Sequence, residues 1–102
     1  MVNFVSVNFI YNEDGDAVGF GDEQFVYKMD GTPIAQLNGP SVHRLDGQYI
    51  GELYEDMIVD RFSQDLGAIE PATPPTRDGV PMPANRGMMS YGFPDVFDLL
   101  LK

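Results

Sequence analysis

The chain has 102 residues, with no cysteine and with 16 acidic residues against 6 basic ones, so its formal net charge is −10. This length allows one domain, and without cysteine neither a disulfide nor a thiolate metal site can form. A surface this negative repels phosphates and anionic lipid headgroups, so we expect neither nucleic-acid binding nor membrane binding. The first 20 residues lack a basic segment followed by an apolar run, which predicts a cytoplasmic protein without a secretory signal.

The opening segment, residues 1–8, contains Val2, Phe4, Val5 and Val7 and is predicted to form a strand. From residue 9 the sequence repeats four times, without a gap, in units of 16 residues. The units are FIYNEDGDAVGFGDEQ (9–24), FVYKMDGTPIAQLNGP (25–40), SVHRLDGQYIGELYED (41–56) and MIVDRFSQDLGAIEPA (57–72). A repeat of this kind indicates one small structural unit per copy.

Two positions of the unit are aliphatic in every copy, and a third position is always small. The aliphatic residues at the second and tenth positions are expected to form the hydrophobic core, and they are Ile10, Val18, Val26, Ile34, Val42, Ile50, Ile58 and Leu66. The small residues at the eleventh position are Gly19, Ala35, Gly51 and Gly67. Small residues inside strands predict that a neighbouring strand or side chain approaches closely there.

An Asp-Gly pair stands in the middle of the first three units, at 14–15, 30–31 and 46–47, whereas the fourth unit has Phe62-Ser63. Asp-Gly between two apolar runs predicts a two-residue β-hairpin turn, because Gly adopts positive φ freely and Asp tolerates it. Each unit is therefore predicted to be one hairpin. The rising strands are expected at 9–12, 25–28, 41–44 and 57–60, each followed by a falling strand after the turn. Asn38-Gly39-Pro40 predicts a tight connection between the second and third hairpins.

A single 16-residue hairpin cannot bury its apolar face, so the four hairpins must pack against one another. Closing them into a ring removes the two sheet edges that an open stack would leave unpaired. The predicted fold class is therefore all-β: four β-hairpin repeats closed into a shallow, pseudo-four-fold barrel or flower over residues 1–70, followed by a Pro-rich extended tail. Because the core is small, a homo-oligomer is also expected.

Two features of the sequence suggest a metal site or a catalytic site, but neither has the further residues that such a site requires. Residues 12–16, Asn-Glu-Asp-Gly-Asp, resemble the start of a calcium loop, but the residues that follow do not complete its ligand set in either register. His43 is the only histidine, and the chain has no Gly-x-Ser-x-Gly element to present a nucleophile to it. We therefore expect no enzyme activity, no metal and no cofactor.

Aromatic rings recur at the first and third positions of the units, and His43 occupies the third position of the third unit. Alternation along a strand places these two positions on one face. Rings around the axis of the flower would line an apolar pocket with a few polar tips. The predicted ligand-binding residues are Phe9, Tyr11, Phe25, Tyr27 and His43. The alternative is that these rings only fill the core, and the residues leave that choice open.

Residues 71–92 are rich in proline and are predicted to form an extended linker. Apolar residues return in 93–102, where Pro94 suits the first turn of a short helix. The predicted docking residues are Phe93, Val96, Phe97, Leu99 and Leu100. They are expected to dock on their own domain, on a neighbouring subunit or in a groove of a partner protein.

This layout of four aromatic-aliphatic-Tyr, Asp-Gly and aliphatic-Gly units, a Pro-rich stretch and a short apolar end resembles the bacterial 4-fold beta flower domain family. The resemblance covers nearly the whole chain. It implies a shallow, symmetric all-β fold of hairpins around a central axis, and it implies no activity and no catalytic residues. The replacement of the fourth Asp-Gly by Phe62-Ser63 departs from the pattern and argues against a site built from four equal turns.

The function that these features favour is a non-enzymatic binding or interaction module whose tail serves docking or self-assembly. Its partner would be another protein or a second copy of the chain. One alternative is a small-ligand or lipid-binding β domain that uses the axial rings. Another is an acidic inhibitor that mimics nucleic acid and blocks a basic partner surface.

Overall fold

The computed structural model of the protein describes residues 7–61 and 67–101. Within these ranges the chain forms seven β-strands and one 3₁₀ helix. The elements are β1 (Asn8–Tyr11), β2 (Ala17–Asp22), β3 (Phe25–Lys28), β4 (Pro33–Asn38), β5 (Ser41–Arg44), β6 (Tyr49–Tyr54), β7 (Met57–Val59) and the C-terminal 3₁₀ helix (Phe97–Leu101). The strands form one antiparallel sheet in chain order, from β1 to β7. This sheet curls into a nearly closed barrel, which confirms the predicted all-β fold.

The register of the hairpins decides which residues face the core. Ile10 lies opposite Gly19, and Val26 lies opposite Ala35 in the next hairpin. Val42 lies opposite Gly51 in the third. The second and eleventh positions of the repeat therefore share one face, which we call the inner face, and the first and third positions lie on the opposite, outer face.

The inner face holds the hydrophobic core. Its buried members are Ile10, Val26, Ala35, Val42, Ile58, Phe97 and Leu100, and Val18, Ile34 and Ile50 pack against them half-buried. Seven of the eight residues predicted for the core thus belong to it or pack against it, and the eighth, Leu66, lies outside the described residues. Two large side chains from the end of the chain, Phe97 and Leu100, join them because the small eleventh-position residues leave room.

The barrel closes between its first and last strands. The Tyr11 N–H donates to the Asp56 carbonyl at 2.8 Å. Beyond this point residues 94–96 lie alongside β7, where the Asp60 N–H donates to the Pro94 carbonyl at 2.9 Å and the Val96 N–H donates to the Ile58 carbonyl at 3.0 Å. The tail therefore supplies part of the closing edge, which a fourth complete hairpin was expected to form.

The Asp-Gly turns are longer than predicted. In the second hairpin the Gly31 N–H donates to the Lys28 carbonyl, and the Lys28 N–H donates to the Thr32 carbonyl, which defines a three-residue loop. Gly31 has a φ of 93°, whereas Asp30 is not among the residues with positive φ. This is a type I turn followed by a glycine in the left-handed region. The prediction of two-residue turns was wrong, because Asp-Gly suits both loop lengths.

The fourth unit departs from the other three. It contributes β7, but Phe62-Ser63 and the start of its predicted falling strand lie outside the described residues, as does most of the strand predicted at residues 1–8. Residues 67–69, where that falling strand was expected to end, form no strand. Their backbone contacts the third Asp-Gly turn, since the Ile69 N–H donates to the Gly47 carbonyl at 2.9 Å.

Residues 71–92 contain no helix or strand, as their proline content predicts, but they are not a free linker. Backbone hydrogen bonds attach them to the barrel at several points. The helix expected near the C-terminus is a 3₁₀ helix, in which residues three apart share a stripe. Phe97 and Leu100 form its buried stripe.

Candidate functional site

Residues 69–89, which we call the belt, cross the three Asp-Gly turns in reverse order. The backbone N–H groups of Ile69 and Ala72 donate to Gly47 and Leu45, that of Val80 donates to Met29, and those of Arg86 and Met89 donate to Gly15 and Glu13, all at 2.9–3.0 Å. Each turn thus offers carbonyl groups that a hairpin alone would leave to water. Because five belt amides have fixed acceptors, the belt has a defined path over the barrel.

The glycines of these turns also make room for the belt. A Cβ atom on Gly15 would collide with the backbone of Gly87, and one on Gly47 would collide with the carbonyl of Ile69. A Cβ atom on Gly31 would meet the backbone of residues 77–79 in the same way. The Asp-Gly repeat therefore serves the turn and the docking of the tail at once.

Arginine side chains fasten the belt and its neighbours to the outer face. The Arg77 guanidinium lies 4.8 Å from the centre of the Phe20 ring and 2.8 Å from the Asp22 carboxylate. Arg86 lies 4.9 Å from the Tyr11 ring and pairs with Asp56 at 2.9 Å. Stacking on a ring combined with a carboxylate partner is an arrangement that the planar guanidinium suits.

Arg61, which follows β7, repeats this arrangement next to the tail. Its guanidinium lies 4.6 Å from the centre of the Tyr54 ring and 5.2 Å from that of Phe93, and it pairs with Glu52 at 3.4 Å. Tyr91 adds an edge contact to Tyr54. Three of the protein's 6 basic residues are thus engaged by its own carboxylates, and the chain has 16 acidic residues in all.

The five predicted ligand-binding residues do not surround the axis. Phe9, Tyr11, Phe25, Tyr27 and His43 lie at the first and third positions of the repeat, on the outer face. Tyr27 and His43 are fully buried there, while the other three are half-buried. The expected axial ring was wrong because strand alternation directs the aliphatic second position inward. A role of these residues in ligand binding stays a prediction.

Tyr27 and His43 lie beside the belt. The Tyr27 hydroxyl donates to the Pro75 carbonyl at 3.4 Å, and its ring stacks on Phe20 with 5.4 Å between centres. Burial raises the pKa of Tyr27, and the neighbouring Asp22 carboxylate adds to the effect. His43 Nδ1 lies 3.0 Å from the Gly47 carbonyl, to which it donates a hydrogen bond. Within the described residues Nε2 has no hydrogen-bond partner.

The predicted docking residues are engaged within the chain. Phe97 and Leu100 are 3% and 6% exposed in the core, and the Phe97 ring and the Val96 side chain occupy the space next to Gly19 and Gly51. Phe93 packs against Tyr54, with 5.5 Å between ring centres. Only Leu99, which is 39% exposed, remains on the surface. Four of these five residues therefore dock on their own barrel.

The exposed large apolar residues of the described chain all lie on the tail. They are Met82, Met88, Met89, Leu99 and Leu101, which are between 39% and 81% exposed. The sequence analysis did not single out the three methionines. The signal was present, since methionines recur in a stretch that is otherwise proline, glycine and polar residues. Large apolar side chains grouped on a surface mark a site of interaction.

Two neighbouring cavities adjoin these residues. The acidic hollow, about 290 Å³ in volume, is lined by Asn12, Glu13, Asp14, Val18, Asp95, Phe97 and Asp98. The methionine shelf, about 190 Å³, is lined by Glu13, Met88, Met89 and Ser90. Glu13 belongs to both, so the two cavities adjoin at this residue. Among residues 7–61 and 67–101, no group of acidic or histidine side chains is arranged to hold a metal ion.

The largest of the described cavities, about 440 Å³, lies between the start of the belt and two hairpin connections. It is lined by Glu23, Gln24, Gln36, Leu37, Asn38, Gly39, Ile69 and Glu70. Gln36 fixes the belt at this point, since its Nε2 donates to the carbonyls of Arg44 and Glu70 at 3.1 and 3.0 Å. No helix in the described part of the chain has the length and apolarity needed to cross a membrane.

A family model described as 4-fold beta flower protein matches residues 8–96. The chain belongs to this family. The matched range contains the seven strands, the three Asp-Gly turns and the whole belt, so the family model spans the tail as well as the repeats. No curated protein and no solved structure matches the chain.

Proposed function

We propose that this protein is a non-enzymatic, cytoplasmic interaction module that binds a protein partner through the exposed apolar side chains of its tail. The observation that carries the proposal is the exposure of Met82, Met88 and Met89 on or next to a backbone that the barrel holds in place. The absence of cysteine fits the reducing conditions of the cytoplasm.

The physical advantage of this arrangement is preorganisation. Binding to a flexible tail would cost the entropy of ordering it, whereas the belt is ordered already by its contacts with the turns. Methionine side chains are long, unbranched and polarisable, so they adapt to partners of different shape. A fixed backbone that carries adaptable side chains suits protein recognition better than catalysis.

The competing small-ligand function has less support. Its predicted rings lie on the outer face, and Tyr27 is covered there with its hydroxyl bonded to Pro75. The inner face is filled by Phe97 and Leu100. A ligand would have to displace the tail from one face or the other, and that displacement would cost the contacts described above.

The acidic-mimic function is the second candidate, and charge favours it. Arg61, Arg77 and Arg86 are engaged by carboxylates of the same chain, so the net charge of −10 is carried by acidic groups that outnumber their internal partners. A mimic would bind its partner with an affinity that falls steeply as salt is added. An affinity that barely changes with salt would favour apolar recognition by the methionines.

A site-directed photo-cross-linking experiment tests the proposed function. A photoreactive residue replaces Met88 in one variant and Thr76, which is exposed on the polar part of the belt, in the control. We expect Met88 to yield one discrete adduct that the control lacks, and the protein identified in it to form the same adduct when purified. Equal adducts from both positions, or none from either, would contradict the proposal.

A further inference from the structure

We propose that the acidic hollow and the methionine shelf together bind an extended polypeptide segment in which an arginine or lysine is flanked by apolar residues. This inference rests on the proposed function and specifies the chemistry of the partner. The basic side chain would enter the hollow, and an apolar side chain two residues away would lie on the shelf.

The first support is the adjacency of the two cavities. Glu13 lines both of them, so they adjoin at this side chain. The hollow has room for a guanidinium or ammonium group, and the shelf presents the side chain of Met88, which is 81% exposed. A single extended segment can reach both cavities with side chains two residues apart, because such side chains point to the same side of an extended chain.

The second support is charge. Glu13, Asp14, Asp95 and Asp98 line the hollow, and none of them forms an ion pair within the described residues. The nearby belt arginine, Arg86, is committed to Asp56 and Tyr11. Desolvation raises the pKa of Asp95, and repulsion by Glu13 and Asp98 adds to the shift. A cation from a partner would offset this repulsion.

The third support is an exposed apolar residue one helical turn from the hollow. In a 3₁₀ helix residues three apart share a stripe, so Leu101 lies on the stripe of Asp98, which lines the hollow. Leu101 is 50% exposed. Exposed apolar side chains thus lie next to the hollow on the methionine shelf and one helical turn from Asp98 at Leu101, which matches a basic residue accompanied by apolar ones and does not match a free inorganic cation.

A peptide-display selection tests this inference. The full-length protein and its Asp95→Asn/Asp98→Asn variant are immobilised and panned in parallel against short random peptides. The Asn side chain keeps an acceptor for the backbone N–H groups of Glu13 and Phe97 that Asp95 now binds, so the variant is expected to fold. We expect the parent to enrich peptides with a basic residue between apolar ones. No enrichment over the variant, or enriched peptides without a basic residue, would overturn the proposal.

The affinity of a selected peptide is then measured by fluorescence anisotropy. We expect it to fall about tenfold or more in the Asp95→Asn/Asp98→Asn variant and in a Met88→Ser/Met89→Ser variant. The matched control, Asp46→Asn/Asp78→Asn, removes the same charge from two exposed acids outside both cavities and should bind as the parent does. Equal losses in all three variants would contradict the site.

The two proposals fail separately. If the Met88 cross-link to an identified partner persists unchanged in the Asp95→Asn/Asp98→Asn variant, the protein-binding function stands and the basic–apolar segment is wrong. If Met88 yields no cross-link, the proposed function itself is contradicted, whatever peptides the selection returns.

Discussion

Gly15, Gly31 and Gly47 have φ values of 88°, 93° and 100°, and each lies under the backbone of the belt. A side chain at these positions would therefore be unfavourable for two reasons: the positive φ strains the local backbone, and the belt occupies the space that the side chain needs. Gly39, in the connection between the second and third hairpins, separates the two effects. Its φ is 61°, but an added Cβ would meet nothing within 4 Å.

Gly47→Ala is expected to destabilise the protein more than Gly39→Ala. Gly39→Ala should cost about 1–2 kcal/mol for the left-handed backbone, and Gly47→Ala about 1–3 kcal/mol more because its methyl group displaces the belt. Urea denaturation measures both free energies of unfolding. Equal losses would mean that the belt does not cover the third turn.

Two glutamates occupy positions that suit glycine. Glu23 and Glu55, in the β2–β3 and β6–β7 connections, have φ values of 57° and 56°, while the equivalent residue of the β4–β5 connection is Gly39. Glu23→Gly is expected to raise the free energy of unfolding by about 1 kcal/mol by relieving this strain. Glu23→Gln controls for the lost charge and should give a smaller gain. A loss of stability in Glu23→Gly, as glycine causes at ordinary φ, would contradict the strain.

Asp95 makes stability depend on pH. Desolvation raises its pKa above the ordinary 3.8, so the folded state binds the proton more tightly than the unfolded state does. The contribution of Asp95 to the free energy of unfolding is therefore lost as pH rises from the pKa of Asp95 in the unfolded state through its pKa in the folded state. Asp95→Asn removes this loss, and its stability relative to the parent should grow between about pH 3 and pH 7. A difference that stays constant would contradict the shift.

At the level of elements, the repeat predicted the strands of the hairpins, but it did not predict the belt, which is not repeated. β3 and β5 span the residues predicted for them, β1 begins and ends one residue earlier than predicted, and β7 ends one residue earlier, because alternating apolar residues and Asp-Gly turns are local signals. The belt left no such signal. It binds the turns through backbone N–H groups, which every residue type carries, and its glycines, such as Gly87 over Gly15, resemble those of a flexible linker.

The C-terminal 3₁₀ helix should contribute to stability through its buried residues, Phe97 and Leu100. Phe97→Ala is expected to lower the free energy of unfolding by about 3–5 kcal/mol, since the ring is 3% exposed in the core. Leu99→Ala, two residues away and 39% exposed, should change it by less than about 0.5 kcal/mol. Should Phe97→Ala fail to fold, Phe97→Leu provides a milder test of the same kind. Similar small effects at both positions would show that the helix does not fill the barrel.

At the scale of the whole molecule, the tail holds the barrel together and completes it. The four hairpins alone were expected to close the barrel. The start of the tail covers the third turn, its middle covers the second and first turns, and residues 94–96 join the edge of β7. The all-β class and the core followed from the sequence, but the candidate site did not. The acidic hollow combines residues of the first turn with residues of the tail, such as Glu13 and Asp95, which only the path of the belt brings together.

The central claim is that the belt is a fixed part of the folded protein and presents its exposed side chains from a set position. Amide hydrogen exchange, followed by NMR, tests this most directly. The amides of Ile69, Ala72, Val80, Arg86 and Met89 donate to the turns, and we predict that they are protected and exchange together with amides of the strands. Exchange of these five amides at the rate of an unstructured linker, with the strands still protected, would contradict the account.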